Sequence, residues 1–143
     1  MSWDVKFMGM AEFVAAWSKD PSTKVGAVIV GPDHEVRATG YNGYPRGVKD
    51  TAATDDRDVR LSKTVHAELN AILNAALCGQ STKGCTMYIH GLPPCNNCAN
   101  AIMQAGICRV VCDCHVHVPE RWMAECDRSI GWLTDAGIRV TWI

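Results

Sequence analysis

With 143 residues, 48% of them hydrophobic, the chain is sized for one domain over residues 1–143, with a sizeable core, and is short for two. Lys and Arg number 14 against 15 Asp and Glu, a formal charge of −1 with no long block of like charge, which argues against nucleic acid as a partner. No basic segment leads into a long apolar run at the N-terminus, so neither export signal nor membrane span is expected, and the eight cysteines read as metal ligands or reduced core residues of a cytoplasmic protein.

Val5, Met8, Ala11, Phe13, Ala15 and Ala16 recur at near-helical spacing and predict a helix over 4–18, broken by the stretch from Ser18 to Pro21. Residues 24–30 are short, apolar and β-branched, and Gly31-Pro32-Asp33 turns them into a second strand over 35–39, a hairpin. Residues 43–63 are polar, with Pro45, Gly47 and Thr54-Asp55-Asp56-Arg57-Asp58, and show no apolar period. They predict a functional loop longer than a simple connector. A helix follows with Leu69, Ile72, Leu73, Ala76 and Leu77 on its apolar face, and Gly79 ends it. Then come a strand (85–90), a helix opening at Cys95 and stopping at Gly106, a strand (107–112), a helix (119–136) and a strand (138–142). A hairpin followed by alternating helices and strands predicts an α/β fold, a three-layer α/β/α sandwich with a mixed five-stranded sheet.

His66, Cys95 and Cys98 are the residues suited to zinc. One imidazole and two thiolates leave the fourth tetrahedral position open, the pattern of a catalytic rather than a structural site. Both thiols sit at a predicted helix start, Pro94-Cys95-Asn96-Asn97-Cys98, where the helix end favours thiolate. Glu68 is two residues from His66, a spacing that serves one site only at a helix N-terminus. Its carboxylate is placed to exchange protons with a metal-activated water, substrate and leaving group. His-x-Glu followed by Pro-Cys-x-x-Cys is the zinc-deaminase signature. A second cluster of ligand types, Cys112-Asp113-Cys114-His115-Val116-His117, has no complementary pair nearby and reads as core cysteines and surface histidines. Cys78, Cys85, Cys108 and Cys126 read as core positions.

The sequence resembles the deoxycytidylate (dCMP) deaminases of the cytidine-deaminase superfamily. The likeness runs through Ser18-Lys19-Asp20-Pro21, Lys24-Val25-Gly26-Ala27, Gly40-Tyr41-Asn42-Gly43-Tyr44-Pro45, His66-Ala67-Glu68-Leu69-Asn70-Ala71 and Pro94-Cys95-Asn96-Asn97-Cys98. It implies a cytidine-deaminase-like fold and hydrolysis of dCMP to dUMP and ammonia, supplying thymidylate synthesis. By the same resemblance Asn42 holds the sugar 3′-hydroxyl and the backbone of Ala67 meets the pyrimidine. Ser18 and Lys24 are candidates for the phosphate, as a hydroxyl donor and a cation in the matched segment. The resemblance further implies a hexamer, activated by dCTP and inhibited by dTTP with magnesium, with Tyr44 and Arg46 as effector contacts. No cysteine lies between Asn42 and His66, where some phage relatives place a second, structural zinc.

The residues leave rivals open. A tRNA adenosine deaminase shares the motifs but calls for a basic surface. A free cytidine or deoxycytidine deaminase needs no phosphate contact. A non-catalytic zinc-binding assembly module keeps the ligands and has no use for Glu68.

Overall fold

The computed structural model describes residues 1–143 and runs α1 (Trp3–Ala15), β1 (Gly26–Val30), β2 (Val36–Tyr41), α2 (Arg57–Lys63), α3 (Ala67–Leu77), β3 (Thr86–His90), α4 (Asn96–Gln104), β4 (Arg109–Cys112), α5 (Glu120–Asp135) and β5 (Arg139–Trp142). The strands form one sheet in the order β2-β1-β3-β4-β5. β1 pairs antiparallel with β2 and with β3, whereas β3, β4 and β5 run parallel. The β1–β2 hairpin and the antiparallel docking of β3 on β1 make one half of the sheet, and the crossover helices α4 and α5 the parallel half.

Alternation along the strands divides the core between the two faces of the sheet. Val28, Val30, Tyr88 and Val111 pack with Phe7, Met8 and Ala11 of α1. Ala27, Ile29, Met87, Ile89 and Val110 face the other way, against Ala67 and Ala71 of α3, Ala99 and Ile102 of α4 and Leu133 of α5. The three layers expected from the sequence are therefore present, with α1 alone covering one face. Asp4 of α1 ties this layer down: it accepts two hydrogen bonds from Arg109, at 2.9 and 2.7 Å, and one from the Tyr88 hydroxyl at 2.8 Å.

Two glycines set how closely the layers approach. A Cβ at Gly26 would strike the backbone of Ala11 and Ala15, and one at Gly40 would strike that of Ala67 and Ala71. The second contact corrects the apolar face read for α3. Its buried residues are Ala67, Glu68, Ala71 and Ala75, while Leu73 and Leu77 are 49% and 67% exposed. Only alanines fit where the helix backbone lies against a glycine of β2. Asn70 and Asn74 hold that approach by donating to the Tyr41 and Thr39 carbonyls, each at 2.7 Å.

The segment read as a loop over 43–63 also needs correction, since α2 occupies its last part. The helix buries no residue and so shows no apolar period; its signal is the N-cap Asp56, whose carboxylate accepts from the Val59 N–H at 2.9 Å. No helix is long and apolar enough to cross a membrane.

Candidate active site

His66 caps the start of α3 and Cys95 the start of α4, so two helix N-termini present the metal-ligand candidates. His66 Nδ1 lies 3.4 Å from Cys95 Sγ and 3.5 Å from Cys98 Sγ. A tetrahedral zinc with nitrogen at about 2.0–2.1 Å and sulfur at about 2.3 Å holds such ligand atoms about 3.6 Å apart. The donor set and its spacing therefore fit zinc. The Cys112–His117 stretch forms no comparable group: His66, Cys95 and Cys98 are the only His, Cys, Asp or Glu residues brought together as a metal-sized cluster. Cys112 is buried in the sheet, and Asp113 turns to His90 Nδ1 at 2.7 Å.

All eight cysteines are free. Cys85 and Cys126 are core residues as read, but Cys78 and Cys108 are exposed, because Cys78 caps the end of α3 and Cys108 precedes β4. The Cys95 thiol is held down to about 4, chiefly by hydrogen bonding from Cys98, with His66 and the Cys98 N–H assisting and burial opposing. The Cys98 thiol is pushed up by the same sharing and by burial. A metal cation that binds both sulfurs would displace the proton the pair retains. His66 is raised, first by its contact with Cys95.

The first turn of α3 folds Glu68 in beside these ligands. The residue is buried, 3% exposed, and burial pushes its carboxyl above the ordinary carboxylate range. Glu68 and His66 line a cavity of about 140 Å³ together with Cys95, Ala67 and Asn42. Asn42 is largely committed to holding the wall: its Oδ1 accepts from the Val25 N–H and its Nδ2 donates to the Thr23 carbonyl, both at 2.8 Å. One amide hydrogen and one lone pair of Asn42 remain unspent.

Ser18 and Lys24 lie outside the cavity lining. The buried Ser18 hydroxyl donates to the Asn42 carbonyl at 2.7 Å and accepts from the Asp20 N–H at 3.2 Å, a supporting role behind the wall. Lys24 is exposed. Tyr44 donates its hydroxyl to Asp55 at 2.7 Å, and Arg46 donates to the Asn74 side chain at 2.6 Å.

The sequence reading missed the contribution of α5. Its Arg121, Trp122, Glu125 and Cys126 line the cavity. The same helix braces the turn that carries Cys95: Glu125 accepts from the Asn96 N–H at 3.2 Å, and the Ser129 hydroxyl lies 2.5 Å from the Pro94 carbonyl oxygen. Arg57 and Arg60 of α2 complete the polar rim. No local motif joins α5 to Cys95, and only the Asp56 cap hinted at α2.

A mixed sheet that brings a His-x-Glu helix start and a Cys-x-x-Cys helix start to one cavity defines a zinc-dependent deaminase. The chain belongs to the cytidine and deoxycytidylate deaminase family, whose zinc-binding region matches residues 1–114. It is 43% identical over 142 residues to an uncharacterised deaminase of Aliivibrio fischeri, covering 99% of this chain and 93% of that one. It is 42% identical over 117 residues to the mouse deoxycytidylate deaminase, covering 78% of this chain but only 64% of the mouse protein. The dCMP deaminase of cyanophage S-TIM5, solved with dCMP and dUMP, superposes with a TM-score of 0.77 at 26% identity, over 100% of this chain and 99% of that one. The resemblance to dCMP deaminases read from the motifs thus extends over the whole fold.

Proposed function

We propose that the protein hydrolyses dCMP to dUMP and ammonia, a step that supplies the precursor of thymidylate. The observation that carries this reading is the buried Glu68 beside a His66, Cys95 and Cys98 set of zinc spacing, at the wall of a cavity open to a small molecule. The dCMP deaminases among its relatives support the choice of substrate. His66 Nδ1 and the Cys95 and Cys98 sulfurs would hold zinc, which would supply Lewis acidity and a water nucleophilic near neutral pH.

The remaining chemistry falls to the chain. Glu68 accepts one proton from the attacking water and delivers it to the pyrimidine ring nitrogen, then takes the second from the hydroxyl so added and delivers it to the amine as the C–N bond breaks and the carbonyl forms, in a site where burial keeps bulk water from competing. The Ala67 backbone at the start of α3 meets the base, and the unspent amide capacity of Asn42 meets the sugar hydroxyl. Control by dCTP and by dTTP with magnesium is part of the proposal. Tyr44 lines a depression of about 50 Å³ that shares Asp20, Asn42 and Thr64 with the substrate cavity, so an occupant there touches the same wall. Arg46, which has no carboxylate within 4.0 Å, supplies a cation for a triphosphate. A hexameric assembly belongs to the same reading.

Ammonia release from cytidine, deoxycytidine, dCMP, dCTP and guanine, with and without dCTP or dTTP as effectors, tests it. The expected result is dCMP as preferred substrate, with the rate at low dCMP raised by dCTP and lowered by dTTP. Preference for an unphosphorylated nucleoside overturns the substrate assignment, and indifference to both triphosphates overturns the regulation alone.

A further inference from the structure

Two of the free cysteines stand opposite one another on neighbouring strands. The parallel register of β3 and β4 runs from Thr86 against Arg109 to Ile89 against Cys112, and one step back sets Cys85 against Cys108. The Cys108 N–H donates to the Cys85 carbonyl at 2.9 Å, so the pairing continues through this step. Opposite residues of adjacent strands face the same side of the sheet, with the strands about 4.7–4.9 Å apart. A disulfide spans Cα separations of about 4.4–6.8 Å, so it can join such a pair with little backbone movement.

The two thiols differ in access. Cys85 is fully buried at the margin of the core, whereas Cys108 is exposed. The Cys108 sulfur lies 3.3 Å from the Gly84 carbonyl oxygen and 3.5 Å from that of Cys85. The Cys85 sulfur lies 3.7 and 3.9 Å from the Ser81 and Lys83 carbonyl oxygens. A thiol is a weak donor, so little is lost when either gives up its proton. Burial pushes the Cys85 thiol above its ordinary range, which leaves the exposed Cys108 as the one that meets an oxidant first.

We propose that Cys85 and Cys108 are a site of reversible oxidation, closing a disulfide between β3 and β4 at the strand ends opposite those that lead to the metal-ligand turn. With hydrogen peroxide as oxidant, the Cys108 thiolate attacks one oxygen; an S–O bond forms, the O–O bond breaks and hydroxide leaves as water. The Cys85 sulfur then displaces the hydroxyl from Cys108; the S–S bond forms, the S–O bond breaks, and the Cys85 proton leaves with the second water. Two thiols are oxidised and one peroxide is reduced to two waters. The link closes a loop of about 24 residues that contains α4 with Cys95 and Cys98, so it restrains the unit that carries two of the metal-ligand candidates. Nothing in this step depends on which substrate the cavity takes.

The test treats the zinc-loaded protein with hydrogen peroxide, blocks the remaining thiols and maps the cysteines by mass spectrometry. Chymotryptic cleavage after Tyr88 and Met103 puts Cys85, the Cys95 and Cys98 pair and Cys108 on three separate peptides. The expected result is a peptide linked through Cys85 and Cys108 that dithiothreitol releases. Closing a loop of this length should also raise Tm by roughly 5–10 °C, an increase that the reductant abolishes. Cys108→Ser, a change at an exposed position, should give neither the link nor the rise, and Cys85 should then stay reduced. Oxidation of Cys108 to the sulfinic acid with Cys85 unmodified, or a link that joins other cysteines instead, overturns the proposal. A Cys85–Cys108 link that leaves Tm unchanged overturns the restraint on α4.

Discussion

Ser129 gives the most local test of how the metal-ligand turn is held. Its hydroxyl, fully buried on α5, sits 2.5 Å from the carbonyl oxygen of Pro94, the residue before Cys95, and 2.9 Å from the Cys126 carbonyl. The hydroxyl has one hydrogen, and the shorter distance assigns it to Pro94. Ser129→Ala leaves that buried carbonyl without a donor, a loss of about 1–3 kcal/mol. For a chain of this size the loss corresponds to a fall in Tm of roughly 3–10 °C. The same bond orients the Cys95 turn, and removing such a support typically weakens metal binding by about 10- to 100-fold. Thermal denaturation and a zinc-chelator competition read the two effects. An unchanged Tm with unchanged zinc retention would refute the bracing role of α5, and a lower Tm with unchanged retention would confine Ser129 to packing.

Gly40→Ala should destabilise the fold by about 1–3 kcal/mol or more, because its Cβ meets the backbone of Ala67 and Ala71 and must push α3 off the sheet. Gly131→Ala within α5, where a Cβ meets nothing within 4 Å, should instead stabilise by about 0.5–1 kcal/mol; chemical denaturation that ranks the two the other way contradicts the close-approach argument. The Asp4 carboxyl is held below its ordinary value, first by hydrogen bonds from Arg109 and also by Tyr88. A depressed carboxyl stabilises the fold above the ordinary aspartate range and loses that contribution as pH falls through its folded value. Asp4→Asn should thus cost about 1 kcal/mol near pH 7, discounted for partial exposure, and flatten the loss of stability below about pH 4. An acid limb as steep as that of the wild type removes Asp4 from the account.

The site was legible where its residues are local to a helix start. His66 and Glu68 share the first turn of α3, Cys95 and Cys98 that of α4, and short-range spacing records both arrangements. Legibility failed where burial and sequence pattern part company. α2 buries nothing and so leaves no period, and Leu73 and Leu77 of α3 are exposed because a glycine draws the alanine face onto the sheet. Ser18 and Lys24, read as phosphate candidates from the motif segment, lie outside the cavity lining, which Arg57 and Arg121 reach through the tertiary packing of α2 and α5. No spacing along the chain encodes that meeting.

The central claim is that a deaminase site is assembled from His66, Cys95, Cys98 and Glu68. It is tested most directly by Glu68→Gln, purified with its zinc content measured and assayed for conversion of dCMP to dUMP and ammonia. The account predicts one zinc per chain in both proteins and a fall in turnover of about 100- to 10,000-fold in the variant, the size expected for loss of a general acid and base. Near-normal turnover in the zinc-replete variant, or a wild type that binds no zinc, would contradict it.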